Sequence, residues 1–158
     1  MEGSLFDEVG FFAALSAAGV RSLLIGRRAL VALGLPVLTA DYDLWIHGDD
    51  AAALNRAAEP FGLAPTRTPE AARQVGRYNL ENDEIVNVLV ARSVTTIDGQ
   101  RVAFDEIWPR RREVVLARGT TVVLPSLDDL IATKRFAARP KDAEDIRLLE
   151  ALRSRGPA

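Results

Sequence analysis

The sequence predicts a mixed domain of helices and strands, of the α/β or α+β class. Three observations carry that expectation. The 158 residues are enough for one domain with a proper core. The composition, 48% hydrophobic and 27% charged, is ordinary for a globular chain. The element signals run helix, strand, helix, strand, helix, then mostly strands, then two helices.

The elements follow in order. Residues 6–18 read as an amphipathic helix with Phe12 and Leu15 on its apolar face, stopped by Gly19. Ser22-Leu23-Leu24-Ile25 is a short buried strand, broken by Gly26. Residues 27–33 read as a helix ended by Gly34, and residues 35–40 as a connection containing Pro36. Residues 42–47 are the second strand. Asp49 and Asp50 are placed to cap a helix over residues 51–59, which ends near Pro60. Residues 65–74 read as a polar loop with a helical turn from Pro69. Residues 84–91 form the strongest strand signal in the chain. Residues 94–103 read as a hairpin turning at Asp98-Gly99, followed by a helical turn over 104–109. Residues 113–117 and 121–124 read as a strand pair turning at Arg118-Gly119. Ser126 caps a helix from Leu127 to about Ala138, with Asp129 at the third position in the manner of a capping box. Arg139-Pro140 interrupts it, and a last helix covers 141 to about 152.

Composition removes several function classes. The chain has no cysteine, which excludes disulfides and thiolate metal sites. Its one histidine, His47, excludes a multi-histidine metal site. No apolar stretch is long enough to span a bilayer, and Met1-Glu2-Gly3-Ser4 does not read as a signal peptide, so a cytoplasmic location is expected. The net charge of −2 does not advertise nucleic-acid binding. Residues 1–100 hold 8 arginines against 13 carboxylates, whereas residues 101–158 hold 12 basic against 9 acidic residues. Only two of the 20 basic residues are lysines, and both, Lys134 and Lys141, lie in the positive half. An ammonium is a compact point charge suited to phosphate.

Asp41-Tyr42-Asp43 is the most informative local feature. At the start of a strand, alternation puts both carboxylates on one face. Two close like charges need neutralising, and a divalent cation bound through oxygen does so; magnesium suits two carboxylates plus substrate phosphates. Two solvated turn aspartates would have the same spacing. Gly26-Arg27, between strand and helix, allows close approach of a ligand to the backbone and to a helix N-terminus, or simply a tight turn. Asn87 is a lone polar residue in an apolar strand, on the face of Ile85 and Leu89, and needs a partner. Lys134 and Arg139-Pro140-Lys141-Asp142, with Asp145, complete the set. Asp142 in a first helical turn also favours the helix dipole.

In this order, Gly26-Arg27, Asp41-Tyr42-Asp43, Asn87, Lys134 and the 139–146 stretch resemble the nucleotidyltransferase fold of the DNA polymerase beta superfamily. Within it the chain is most similar to bacterial AbiEii-like nucleotidyltransferases of abortive-infection and toxin–antitoxin systems. The run Leu38-Thr39-Ala40-Asp41-Tyr42-Asp43-Leu44 is the most specific match, and the resemblance spans about residues 20–150 of a single domain, 1–158.

The resemblance implies an α+β fold with a mixed central sheet flanked by helices and a C-terminal helix pair. It implies magnesium held by Asp41 and Asp43, and nucleoside triphosphate bound by Gly26, Arg27, Lys134 and Asp142. A hydroxyl on RNA, protein or a small molecule would attack the α-phosphate. The chain departs from the family twice. Arg27 stands where the family has a second small residue, and Asn87 stands where it has a third aspartate, so Asn87 is a catalytic-position residue without a carboxylate. Asp83 precedes the strand and Glu84 has the wrong parity to replace it. Two functions therefore stay open: a nucleotidyltransferase, or a degenerate member that binds nucleotide or a partner protein without catalysis.

Overall fold

The computed structural model describes residues 6–137 and 139–155. Met1–Ser4, read above for a signal sequence, and Ala138 lie outside them. Its centre is a five-stranded sheet of β1 (Ser22–Ile25), β2 (Tyr42–Ile46), β3 (Ala64–Pro65), β4 (Arg77–Glu81) and β5 (Ile85–Leu89), ordered β1-β2-β5-β4-β3. β2 and β5 run parallel, and the other neighbouring pairs are antiparallel. Around it lie α1 (Glu8–Ala17), α2 (Gly26–Ala32), α3 (Ala51–Ala58) and α4 (Pro69–Val75). Two hairpins follow, β6 (Ser93–Thr95) with β7 (Arg101–Ala103), and β8 (Arg112–Ala117) with β9 (Thr120–Leu124); α5 (Phe104–Ile107) connects them. The chain closes with α6 (Leu127–Ala137) and α7 (Pro140–Ser154). This is an α+β arrangement with a mixed sheet and a C-terminal helix pair, as expected.

The two faces of the sheet are unlike, and that difference creates the site. On one face, Leu24, Tyr42, Leu44, Val86, Val88, Tyr78 and Leu80 are buried with Phe11, Phe12 and Leu15 of α1 and Leu54 of α3. This is the main core, and each such side chain contributes about 1.5–3 kcal/mol on leaving water. The Tyr42 hydroxyl, carried into this layer, donates to Glu8 at 2.8 Å and ties α1 to β2.

The opposite face changes character along β2. Leu23 and Trp45 pair across β1 and β2 and are covered by Val94, Val102, Phe104 and Ile107. Trp45 is fully buried, and its indole Nε1 donates to the Ala91 carbonyl at 2.8 Å, so no polar atom is stranded. Two residues earlier on the same face stands Asp43. It is level with Asn87 on β5, which is level with Asn79 on β4. Among the described residues, the apolar cluster that covers Trp45 does not extend over this row.

Several local expectations are corrected. β4 was not anticipated, although Arg77-Tyr78-Asn79-Leu80-Glu81 alternates polar and apolar residues and its burial alternates with it. The helical turn expected from Pro69 is there and extends to two turns as α4, its start capped by the Thr68 hydroxyl accepting from Ala71 N at 3.2 Å. Asp50 does not cap α3 with its side chain. Its carboxylate instead accepts from the Arg21 backbone N–H at 2.8 Å and from the Arg21 guanidinium at 2.9 and 3.0 Å. A bidentate charged pair outcompetes a single cap bond.

The Ser126 cap is borne out. Its Oγ accepts from Asp129 N at 3.2 Å and donates to the Asp129 carboxylate, which also accepts two bonds from Arg110. Ser126→Ala is expected to lower stability by about 1 kcal/mol, read from urea denaturation. An unchanged midpoint would show that Arg110 alone holds this helix start.

Candidate functional site

A cleft of about 730 Å³ opens over the polar part of the sheet. That lies within the roughly 300–1,000 Å³ common for ligand sites. Gly26, Arg27, Asp41, Asp43, Asn87, Lys134 and Asp142 all line it. They come from α2, the loop into β2, β2, β5, α6 and α7, so the tertiary fold gathers residues spread over more than a hundred positions of chain.

Asp43 is the floor of the cleft. Parallel pairing sets it beside Asn87, whose Nδ2 donates to Asp43 Oδ1 at 3.0 Å. Burial pushes the Asp43 carboxyl above its ordinary range; the Asn87 bond opposes this, and the nearby Asp41 charge adds to the rise. Asp41 precedes β2 and is exposed. Its backbone N–H donates to Thr39 Oγ1 at 3.1 Å. Arg28 fixes the same loop by donating to the carbonyls of Thr39 and Asp41, with its guanidinium 4.1 Å from the centre of the Tyr42 ring.

Gly26 is required twice. Its φ of +69° is a region side chains rarely adopt. A Cβ there would also stand 2.5 Å from Asp43 Oδ2. The turn from β1 into α2 therefore passes directly over the Asp43 carboxylate.

The helical wall is an ion network around Asp145, which is wholly buried. Asp145 accepts from Lys134 Nζ at 2.8 Å and from Arg27 Nε and Nη2 at 3.1 Å each. The third Arg27 donor, Nη1, goes to the Leu38 carbonyl at 3.2 Å. Lys134, 5% exposed, also lies 3.6 Å from Asp142. Asp142 accepts from the Arg139 backbone N–H at 2.8 Å and from its guanidinium at 3.2 Å. Burial raises the carboxyls of Asp142 and Asp145, but hydrogen bonds from Arg139 to the first, and from Arg27 and Lys134 to the second, outweigh it and hold both below the ordinary range. Arg27 thus bonds the helix pair within the wall.

The far side of the cleft is lined by Thr66, Arg67, Arg77 and Asn79, which fall in the 62–79 segment expected to carry acceptor specificity, although none of them stands out singly in the sequence. The signal was the alternation of β4. Sequence reading also gives Asp145 no role of its own, because nothing local distinguishes it from other helix aspartates. Asp83 and Glu84 do not line the cleft, in keeping with their place and parity.

Among the described residues no group of three or more His, Cys, Asp or Glu side chains is placed to hold a metal ion. The carboxylate donors over the sheet are Asp41 and Asp43, two negative charges shared by four oxygens and opening on a cleft with room for phosphates. That donor set fits magnesium, which typically takes one or two carboxylates and completes its shell with water and substrate oxygens.

No family model matches the chain, and no curated protein matches it by sequence. Solved structures do match by fold. The antibiotic-resistance factor ANT(2'')-Ia superposes with a TM-score of 0.63 at 19% identity over 92% of this chain and 89% of that one. Its complex with adenylyl-2''-tobramycin gives 0.62 at 19% identity, over 89% and 83%. The lincosamide antibiotic adenylyltransferase LnuA, lincomycin-bound, gives 0.62 at 12% identity, over 94% and 98%. The chain has the nucleotidyltransferase fold.

Two outcomes are expected. Gly26→Ala should displace the Asp43 carboxylate and destabilise by roughly 1–3 kcal/mol, the range for a strained backbone position; wild-type stability would show that the turn relaxes freely. Asp145 has a depressed pKa in the folded chain. Its contribution is therefore complete above the ordinary carboxylate pKa and is lost as pH falls through the depressed value. Asp145→Asn should cost about 3–5 kcal/mol at pH 7. It should also flatten the loss of stability below about pH 4, measured by denaturant titration across pH. Parallel wild-type and variant curves would place the acid sensitivity elsewhere.

Proposed function

We propose that the chain transfers a nucleoside monophosphate from a nucleoside triphosphate to a hydroxyl, with magnesium held by Asp41 and Asp43. The observation that carries the reading is the convergence of both carboxylates, the Gly26 turn and Lys134 on one cleft of this fold. A magnesium ion there would offset the repulsion between Asp41 and Asp43 and draw charge from the substrate phosphates.

The chain's own residues supply binding and alignment. Gly26 presents bare backbone beside Asp43, leaving room for a phosphate. Arg27, Lys134, Arg139 and Lys141, set against the two carboxylates Asp142 and Asp145, leave the helical wall net positive toward that phosphate. The acceptor oxygen bonds to the α-phosphorus as the α–β bridging bond breaks and pyrophosphate leaves. The hydroxyl proton passes to water, because the Asn87 amide cannot accept it. Asn87 instead orients Asp43 through its 3.0 Å bond. Absence of a general base typically slows such a step by ~10²–10⁴. Placing the chain near AbiEii-like enzymes of toxin–antitoxin or phage-defence systems, acting in a bacterial cytoplasm, belongs to this same proposal.

A second reading is a nucleotide- or protein-binding module that has lost catalysis. One observation favours it: the Arg27 donors described above and the Lys134 ammonium already bond groups within the chain.

Calorimetric titration with each of the four ribonucleoside triphosphates, with and without magnesium, separates the two. Magnesium-dependent binding is expected, weakened at least ~10-fold in Asp41→Ala, since losing one charged contact costs about 1.5–3 kcal/mol. Asn87→Asp should then raise turnover by ~10² or more. Absence of binding to all four nucleotides would sink the transferase reading and leave the second.

A further inference from the structure

We infer that the acceptor carries a phosphate, held by Arg67 and Arg77 on the wall of the cleft opposite the helices; this deepens the transferase reading and rests on it. Asp43, on β2, divides the cleft. On one side stand α6 and α7, packed on α2. On the other side the sheet continues through β5 to β4 and β3, and there Arg67 and Arg77 line the cleft.

The two walls use their cations differently. Lys134 and Arg139 on the helical wall are bonded to Asp145 and Asp142. Among the described residues, no carboxylate lies within ion-pair distance of Arg67 or Arg77, and both are exposed. They are nevertheless held together. Thr66 N donates to the Asn79 carbonyl and Asn79 N donates to Thr66 Oγ1, both at 2.9 Å, which extends the β3–β4 ladder to the base of Arg67. Arg67 Nη1 then donates to the Arg77 carbonyl at 2.9 Å. Arg77 shares the sheet face of Asn79, Asn87 and Asp43 by register.

Arg67 and Arg77 thus bring two positive charges to one wall of the cleft, and a bound anion would offset them. The planar guanidinium fork matches phosphate oxygens in pairs, which distinguishes it from a lysine point charge. The same wall disfavours an amine-bearing acceptor. A phosphate seated there would place its attached hydroxyl toward the Asp43 side, where the α-phosphate is attacked. A sugar phosphate and the phosphodiester of an oligonucleotide present the same chemistry.

The test compares the wild type with an Arg67→Ala/Arg77→Ala double variant. Each is first titrated with magnesium and the four triphosphates. The protein saturated with a non-hydrolysable triphosphate is then titrated with ribose 5-phosphate, ribose, glucosamine and a 5′-phosphorylated oligoribonucleotide. At least one phosphate-bearing probe should bind and the neutral and cationic sugars should not. The double variant should weaken that binding by ~10-fold or more, the loss of one to two charge-assisted contacts, with triphosphate affinity within ~2-fold of wild type. Which phosphate probe binds identifies the source. If the double variant loses triphosphate affinity instead, the arginines hold the nucleotide and the inference falls while the transferase reading stands. Equal binding of ribose or glucosamine, or binding of no phosphate probe, also overturns it. If no triphosphate binds the wild type, both fall together.

Discussion

The Asp145 carboxylate is the contact on which the helical half of the site depends. It is carried by α7, accepts from Lys134 on α6, and accepts twice from Arg27 on α2. A buried carboxylate without partners would be costly, and here both oxygens are satisfied by cations. The three helices are thereby held in one relative position. The network reaches the cleft floor as well, because Arg27 follows Gly26, and Gly26 lies against Asp43. A disturbance at Asp145 therefore reaches the Asp43 carboxylate through Arg27 and Gly26.

The floor itself exists because one sheet face changes character within a single strand. Trp45 requires a lid, and the β6–β7 hairpin with α5 supplies it. Asp43 cannot be covered by the same apolar material without losing its solvation. The boundary between the two falls across β2, and the cleft begins where the lid stops. Strand pairing then decides the neighbours: parallel register brings Asn87 to Asp43, and antiparallel register brings Asn79 next to Asn87.

Asn87 gives this row its electrostatic balance. A second carboxylate within 3.0 Å of Asp43 would add repulsion that only a bound cation could offset. The amide removes that demand and contributes a hydrogen bond, which restrains the upward pull of burial on the Asp43 carboxyl. The result is a cleft floor with less repulsion and no carboxylate base at position 87. Under the proposed function, that exchange slows proton removal but leaves binding and alignment in place.

Much of this was legible locally. Apolar runs located β1, β2 and β5, the Ser126–Asp129 spacing located the start of α6, and Arg139-Pro140 located the break before α7, because each depends on residues within a turn or strand of one another. The seven candidate residues likewise stand out by type and order. What remained hidden was partnership at a distance. Asp50 reads as a helix cap until Arg21 offers it three bonds, and Arg27 reads as a phosphate contact until Asp145, 118 residues away, takes two of its donors. β4 is hard to see because its short alternation is weak beside the neighbouring apolar run, so the 62–79 segment reads as loop and Arg67 and Arg77 are not singled out. The sequence by itself determined which elements form and which chemistry is carried. Only the tertiary structure decided which charges meet, since hydrogen bonds and ion pairs act over a few ångströms of space, whatever their separation along the chain.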